Sequence, residues 1–379
     1  MGFEINTAPA ICRGRLNDIG FRFGIEEEFF LVDQATGEVA NQTPASLFAL
    51  ANMATEGLID REFLQSQVEA TTPPFENVAD ARNELCYVRG VLARFASLHG
   101  LNLAASGTHP LAHWRNIQQT HRGRYDDVMH ELQIVGRRNM FCGMHVHVEV
   151  PDPARRVGLM VHLTPYLPLF LALSSSSPFW EGQPTGLKSY RMAGYSELPR
   201  SGIPEALANE EEYNSYVRTM VASGAVKDES YVWWMLRPSA KYPTLELRAP
   251  DSCTRVKDAI ALASLYRVLV RHCYYALPST ANFNVMRSLA VENKWQAQRH
   301  GIQAVFATLE GPRSVADMLD DVIDMVSVDA EHLQCLEEIE HCRTIVRNGS
   351  SADEQLRVYE RSGEGLCAVA DWLSETTIA

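Results

Sequence analysis

At 379 residues and 42.4 kDa the chain can build one large domain or two ordinary ones. A make-up of 46% hydrophobic and 21% charged residues is that of a globular protein, and a net charge of −13 argues against nucleic acid or an anionic membrane as its main partner. Eight cysteines (12, 86, 142, 253, 273, 335, 342 and 367) include no C-x-x-C pair, which suits reduced thiols in a cytoplasmic protein better than a disulfide framework or a zinc knuckle.

Met1 to Arg13 lacks the basic-then-apolar pattern of a leader. The first informative stretch is Phe23-Gly24-Ile25-Glu26-Glu27-Glu28-Phe29-Phe30-Leu31-Val32-Asp33, rich in strand formers and carrying three consecutive carboxylates. On a strand Glu26 and Glu28 share one face and Glu27 takes the other. Carboxylates about 7 Å apart repel by roughly 2 kcal/mol at an effective dielectric near ~20. Such a face is either solvated at an edge or holds a divalent cation.

Thr43 to Ala54 reads as a short helix, and Arg61 to Pro74 as a strand-like piece with Gln65, Gln67 and Glu69 on one face. Apolar residues recur at helical spacing from Asn77 to His99, with Gly100 as C-cap, and Leu101 to Ala105 gives a strand. His109, in the following loop, reads as a structural hydrogen-bonder. Gly143 to Val150 then places His145, His147 and Glu149 on one strand face and three valines on the other. Two imidazoles at i, i+2 on a valine-backed strand suit metal or anion binding, and Glu149 reads as the point where that face reaches solvent.

Val157 to Leu173 predicts a buried helix bent at its prolines, too short and interrupted to span a membrane. The Ser-, Gly- and aromatic-rich stretch from Ser174 to Arg191 predicts a long loop, with Arg191 and Arg200 as candidate anion binders. Tyr231 to Arg248 reads as two strands joined at Pro238 to Pro243, with Thr244, Glu246 and Arg248 on one face. An exposed Glu–Arg pair would explain that face equally well. Helical patterns cover 256–277, 285–301, about 313–346 and 352–375.

Seven short pieces in order resemble the second family of glutamate–cysteine ligases and, within it, the YbdK-type carboxylate–amine ligases. They are Gly24-Ile25-Glu26-Glu27-Glu28-Phe29, Gln67-Val68-Glu69-Ala70-Thr71, Ser106-Gly107-Thr108-His109-Pro110, Cys142-Gly143-Met144-His145-Val146-His147-Val148, Ser177-Pro178-Phe179-Trp180-Glu181-Gly182, Thr185-Gly186-Leu187-Lys188-Ser189-Tyr190-Arg191 and Arg237-Pro238-Ser239 with Pro243-Thr244-Leu245-Glu246-Leu247-Arg248. They span roughly residues 20 to 255, and Asn293-Lys294-Trp295-Gln296-Ala297 is a looser match. Glu149 departs from the pattern, standing where a small residue is commoner.

The resemblance implies an α+β chain of the glutamine synthetase-like fold. Its single catalytic domain (14–379) would be a curved, mainly antiparallel sheet, with helices on the outer face and C-terminal helices (about 310–379) packed on it. It also implies ATP with Mg²⁺ or Mn²⁺. Glu26, Glu28, Glu69, His145 and Glu246 would be metal ligands, and His147 and Arg237 would contact nucleotide. Arg237 and Arg248 would hold the transferring phosphoryl group, and Arg191 the carboxylate substrate. Glutamate and cysteine are the first candidate substrates, and a homodimer is the expected assembly. A guanidino-kinase-like phosphotransferase and an ATP-independent metal hydrolase are the alternatives. With no Gly-x-x-x-x-Gly-Lys-Ser/Thr motif present, ATP would not sit in a P-loop.

Overall fold

The computed structural model describes residues 20–276 and 282–379. Cys12, the Met1 to Arg13 segment and the last residue of the 256–277 helical pattern lie outside them.

Seven strands form one sheet: β1 (Phe23–Asp33), β2 (Ile59–Arg61), β3 (Gln67–Thr71), β4 (Leu101–Ala104), β5 (Met144–Glu149), β6 (Leu236–Pro238) and β7 (Thr244–Leu247). Their order is β6-β7-β5-β1-β3-β2, with β4 joining the far end of β1, and every pairing is antiparallel. The glutamate strand is the hub, because its 11 residues are long enough to pair with β3, β4 and β5.

Period-two alternation divides the sheet. Phe23 and Ile25 of β1, Met144, Val146 and Val148 of β5, Leu236 of β6, and Leu245 and Leu247 of β7 point into the largest core. Across that core lie apolar residues of the helices Val78–Ser97, Arg156–Leu163, Leu167–Ser174 and Val256–Ala276. Each buried Val, Leu or Phe there contributes roughly 1.5–3 kcal/mol of transfer free energy. Glu27 also faces this way. It is 1% exposed and forms a two-point ion pair with Arg89 of the Val78–Ser97 helix, Nε to Oε2 at 3.0 Å and Nη2 to Oε1 at 2.5 Å. The remaining Arg89 donors reach the carbonyls of Cys253, Thr254 and Thr377. A buried charge needs such full satisfaction, and Glu27 is structural as its strand parity requires.

Three details differ from the pattern read in the sequence. The piece from Arg61 to Pro74 begins on the last residue of β2 and contains β3, the two separated by a loop in which Gln65 turns to the carbonyl of Gln119 at 3.0 Å rather than joining the Gln67–Glu69 face. The helix before the serine-rich loop is continuous over Pro153–Ser174, long and apolar enough to cross a membrane, with single 3₁₀ turns at its start and at Pro165. Its most apolar window is 78% buried inside the fold, so it is a core helix bent at a proline. A small hairpin, Val305–Thr308 with Gly311–Ser314, stands between the Phe283–His300 helix and the C-terminal helices.

The C-terminal part is helical, as expected, in four pieces: Val315–His332, Leu336–Asn348, Ser351–Arg361 and Leu366–Thr377. Val369 and Leu373 of the last close over Phe30 and Val32 at the end of β1.

Candidate active site

The polar face of the sheet is a grid fixed by strand register. Glu28 lies opposite Glu69, Glu26 between Thr71 and His145, and His147 opposite Glu246, which itself faces Arg237. Gly24, on the other side of His147, contributes no side chain, so the row is open there. The five metal-ligand candidates and the three arginines named from the resemblance therefore converge, and all of them except Glu246 line one cavity of about 300 Å³. A second cavity, of about 540 Å³, is walled by His147, Thr244, Lys241 and Tyr242. The two share Glu26 as a common wall.

Glu26 accepts from His145 Nδ1 at 3.1 Å and lies 3.3 Å from His147 Nε2. Burial opposes its ionisation, but the two histidines outweigh that and hold its carboxyl far below the usual range. Burial and then the Arg248 charge pull His145 down to about 4, so its imidazole is neutral at pH 7 and able to ligate a metal. Burial also lowers His147, but the bond to Glu26 and the charges of Glu246 and Glu26 raise it above its ordinary value. Glu246 takes Arg237 on both oxygens, Nε to Oε2 at 2.8 Å and Nη2 to Oε1 at 3.1 Å, and Arg248 Nη1 on Oε1 at 2.5 Å. Burial disfavours its charge, yet the two guanidiniums prevail and its carboxyl stays well below the usual range.

The other end of the grid is short of positive charge. Glu28 accepts the Gly143 N–H at 2.5 Å, and burial still raises its carboxyl against the pull of Arg191. Glu69 is raised well above the carboxylate range by burial and then by the charges of Glu62, Glu26 and Glu28. Glu62 itself is pushed up to about 7 by burial and by Glu28. Sequence reading missed Glu62, since it sits just past β2 with no face to share. Its signal was positional, because β2 and β3 pair Asp60 with Glu69 and so bring residue 62 to the same rim. The helix Gly123–Leu132, also not foreseen, walls the cavity with Tyr125, Val128 and Leu132 at i, i+3 and i+7.

Two groups here would be relieved by a divalent cation, and among the described residues only the second brings its ligand atoms within reach of one ion. Glu28, Glu62 and Glu69 crowd together with too few counter-charges, which an oxygen-preferring ion such as Mg²⁺ or Mn²⁺ would relieve. Glu26, His147 and Glu246 offer ligand atoms within 4.8 Å of one another. Both Nε2 atoms are buried: that of His145 has no hydrogen-bond partner and lies 3.8 Å from Glu28, while that of His147 faces only the Glu26 carboxylate, at 3.3 Å. The expectation gave the metal to His145 and the nucleotide to His147; in the fold both rings flank Glu26, and the metal-sized cluster contains His147.

Arg191 reaches the cavity from the helix Tyr190–Tyr195, passing over Gly143 so closely that a Cβ at position 143 would overlap its guanidinium. Glycine is required there for close approach, not for a backbone angle. The Arg248 guanidinium also donates to the Tyr195 hydroxyl at 3.2 Å and stands 3.4 Å from His145 Nδ1, the nitrogen that donates to Glu26. Arg200 is not part of this constellation. Its Nε donates to the carbonyl of Tyr231 and its guanidinium lies over Trp233. His109 is fully buried and structural in position, accepting the Leu111 N–H at 3.3 Å. Glu149 pairs with Arg22 at the solvent edge of β5.

A family model described as glutamate–cysteine ligase family 2 matches residues 22–371. A Bradyrhizobium diazoefficiens protein carrying the provisional name glutamate–cysteine ligase 2 is 49% identical over 97% of this chain and 86% of its own. A Rhodospirillum rubrum protein of the same provisional name is 39% identical over 96% of this chain and 97% of its own. Among solved structures, a glutamate–cysteine ligase from Francisella tularensis in complex with AMP superposes with a TM-score of 0.72 at 15% identity, over 96% of this chain and 90% of that one. A bifunctional glutathione synthetase from Pasteurella multocida gives 0.73 at 17% identity, with 95% of this chain matching 52% of that longer protein. These likenesses bear out the α+β, glutamine synthetase-like fold.

Proposed function

The chain belongs to glutamate–cysteine ligase family 2, and from that premise we propose that it is an ATP- and Mg²⁺-dependent carboxylate–amine ligase. One observation carries this reading. One cavity over the polar face of the sheet brings carboxylates (Glu26, Glu28, Glu69 and Glu62) beside guanidiniums (Arg191, Arg237 and Arg248), with a buried His145 Nε2 that lacks a partner. That is the charge pattern needed to hold a polyphosphate through divalent ions and to accept a carboxylate.

In this reading Glu28, Glu62 and Glu69 hold one ion, and Glu26, Glu246 and a histidine of the pair a second. Bound there, Mg²⁺ supplies charge neutralisation for the phosphates. ATP approaches from the His147 side, where Lys241 and Tyr242 wall the larger cavity. Arg191 orients the substrate carboxylate. One carboxylate oxygen attacks the γ-phosphorus, the bond to the bridging oxygen breaks and ADP leaves, giving an acyl phosphate. Arg237 and Arg248 stabilise the charge spread over the equatorial oxygens. The amine nitrogen then attacks the acyl carbon, phosphate departs and the nitrogen loses a proton, leaving an amide. Tyr125, Val128 and Leu132 help to exclude water from the acyl phosphate, which hydrolysis would waste.

Glutamate and cysteine are the first substrates to try, and a cytoplasmic homodimer is the accompanying expectation for the assembly. The test is ADP release with Mg²⁺ across a panel of carboxylates and amines, with the product weighed by mass spectrometry. A condensed amide is the expected product. A phosphorylated guanidine, turnover without ATP, or no ATP binding would each overturn the proposal.

A further inference from the structure

Arg191 is unlike the other two arginines of the site. Arg237 and Arg248 are each bonded to Glu246. Arg191 is only 2% exposed, yet among the described residues no carboxylate lies within hydrogen-bond distance of it; its Nε, like that of Arg248, has no partner. Its terminal nitrogens make only long contacts, Nη1 to the carbonyl of Ala249 and Nη2 to that of Arg248, both at 3.4 Å. The nearest counter-charge resolved as an ion pair is the fully buried Asp251, whose Oδ1 stands 3.7 Å from Nη1. A buried Arg–carboxylate pair would ordinarily close to about 2.7–2.9 Å.

The reason for the gap is visible on Asp251. Oδ1 accepts the Ser189 hydroxyl at 2.9 Å. Oδ2 accepts the Ser177 hydroxyl at 2.7 Å and the Ser176 N–H at 3.0 Å. Ser176, Ser177 and Ser189 are all fully buried. The serine-rich loop therefore anchors both oxygens of the aspartate, and the Oδ1 that Ser189 holds is the one that faces the guanidinium.

We propose that Ser189 is a positioning residue for Arg191: by holding Oδ1 in place it keeps Asp251 from closing on the guanidinium, so that Arg191 remains available to a substrate oxyanion. Asp251 is near enough to make burying the arginine tolerable and too far to compete with a ligand. Removing the Ser189 hydroxyl frees Oδ1 to pair with Nη1, and the incoming anion must then displace it. The placement of the anion rests on the ligase reading; the Ser189–Asp251–Arg191 relationship does not.

The test is calorimetric titration of the intact protein with L-glutamate, and separately with inorganic phosphate, with ADP and Mg²⁺ titrated as a reference. The expected result for Ser189→Ala is an L-glutamate Kd weakened about fivefold or more, since a charge-assisted bond is in competition, with ADP affinity unchanged. Ser189→Cys, which keeps a weak donor, gives a smaller shift in the same direction and serves if the alanine variant folds poorly. A response to phosphate alone would identify the anion as the transferred phosphoryl group rather than the substrate carboxylate, with Ser189 in the same role. Equal anion affinities in Ser189→Ala and wild type, or no anion binding by either, would overturn the inference. None of these results depends on turnover, so failure of the ADP-release assay would remove the ligase reading without deciding this one.

Discussion

Arg237 and Glu246 face each other on adjacent antiparallel strands and share two N–H···O bonds, while Arg248 completes a three-member cluster on the same carboxylate. Glu246 is 2% exposed, so removing it strands two guanidiniums. Breaking a buried pair of this kind costs about 3–5 kcal/mol. Glu246→Ala is therefore expected to lose both ADP release and stability, with the stability loss read from urea unfolding. Glu246→Gln, which keeps acceptor geometry, loses turnover with a smaller stability cost. Full turnover in either variant would exclude Glu246 from the site.

Gly143 offers a test that adds one methyl and no charge. In Gly143→Ala the new Cβ meets the Arg191 guanidinium, which must swing out of its place between Glu28 and Asp251. The expected outcome is L-glutamate binding weakened beyond detection with ADP binding retained, both followed by calorimetry. Unaltered binding would show that Arg191 does not contact the carboxylate.

The crowded carboxylates set a pH dependence. Glu62 is raised to about 7 in the folded protein, and Glu28 and Glu69 are raised as well. The folded state then binds more protons than the unfolded state between their unfolded pKa values, about 4.5, and the raised folded ones. The contribution of these three carboxylates without metal should accordingly fall as pH rises from about 4.5 to about 7, against the opposite slope of the depressed His145, so it is read as the difference between wild type and Glu62→Gln. Glu26 and Glu246, with depressed values, keep their contribution through this window and lose it only in stronger acid. Urea unfolding in EDTA at pH 5 and pH 8 checks the trend. Mg²⁺ should restore stability at pH 8 far more than at pH 5, and Glu62→Gln should flatten both responses.

Glu27 tests the opposite assignment. It is a neighbour of two site residues in sequence and belongs to the core in space. Glu27→Ala leaves Arg89 buried without a counter-ion and should cost about 3–5 kcal/mol in denaturant unfolding, while any folded fraction keeps its ADP affinity. A nucleotide-binding defect without a stability loss would contradict the structural role.

Glu149 supplies the control. Its pair with Arg22 is 2.8 Å long but lies at the surface, with the Arg22 side chain 49% exposed. Exposed pairs are worth about 0–1 kcal/mol, so Glu149→Ala should barely move either the urea midpoint or ADP release.

Much of the site is legible in the sequence because it lies on strands. Period two separates Glu26 and Glu28 from Glu27, and pairs His145 with His147, without any knowledge of partners. What period two does not give is register. That Glu28 meets Glu69, and that His147 meets Glu246, follows only from which strands pair and where. Glu62 was out of reach for the same reason, since its place at the rim comes from the β2–β3 pairing and not from its own neighbourhood. Gln65 shows the converse: the alternation that carries Gln67 and Glu69 onto one face ends at the loop before β3, and Gln65 bonds elsewhere. Arg200 looked like Arg191 in the sequence, and only tertiary packing sends one guanidinium to the cavity and the other to the carbonyl of Tyr231.

The Arg89 guanidinium has a consequence for the order of assembly. It stands behind the glutamate strand, yet three of its acceptors belong to residues 253, 254 and 377, up to 288 positions later in the chain. The Thr377 hydroxyl also takes up the Ala105 N–H. During synthesis the first strands and the Val78–Ser97 helix emerge long before those acceptors exist. A half-made chain would have to bury a guanidinium with unmet donors, so the early sheet gains little by closing until the last helix arrives. The carboxylates of the site would thus be set in their final places late, by the part of the chain that carries no chemistry of its own.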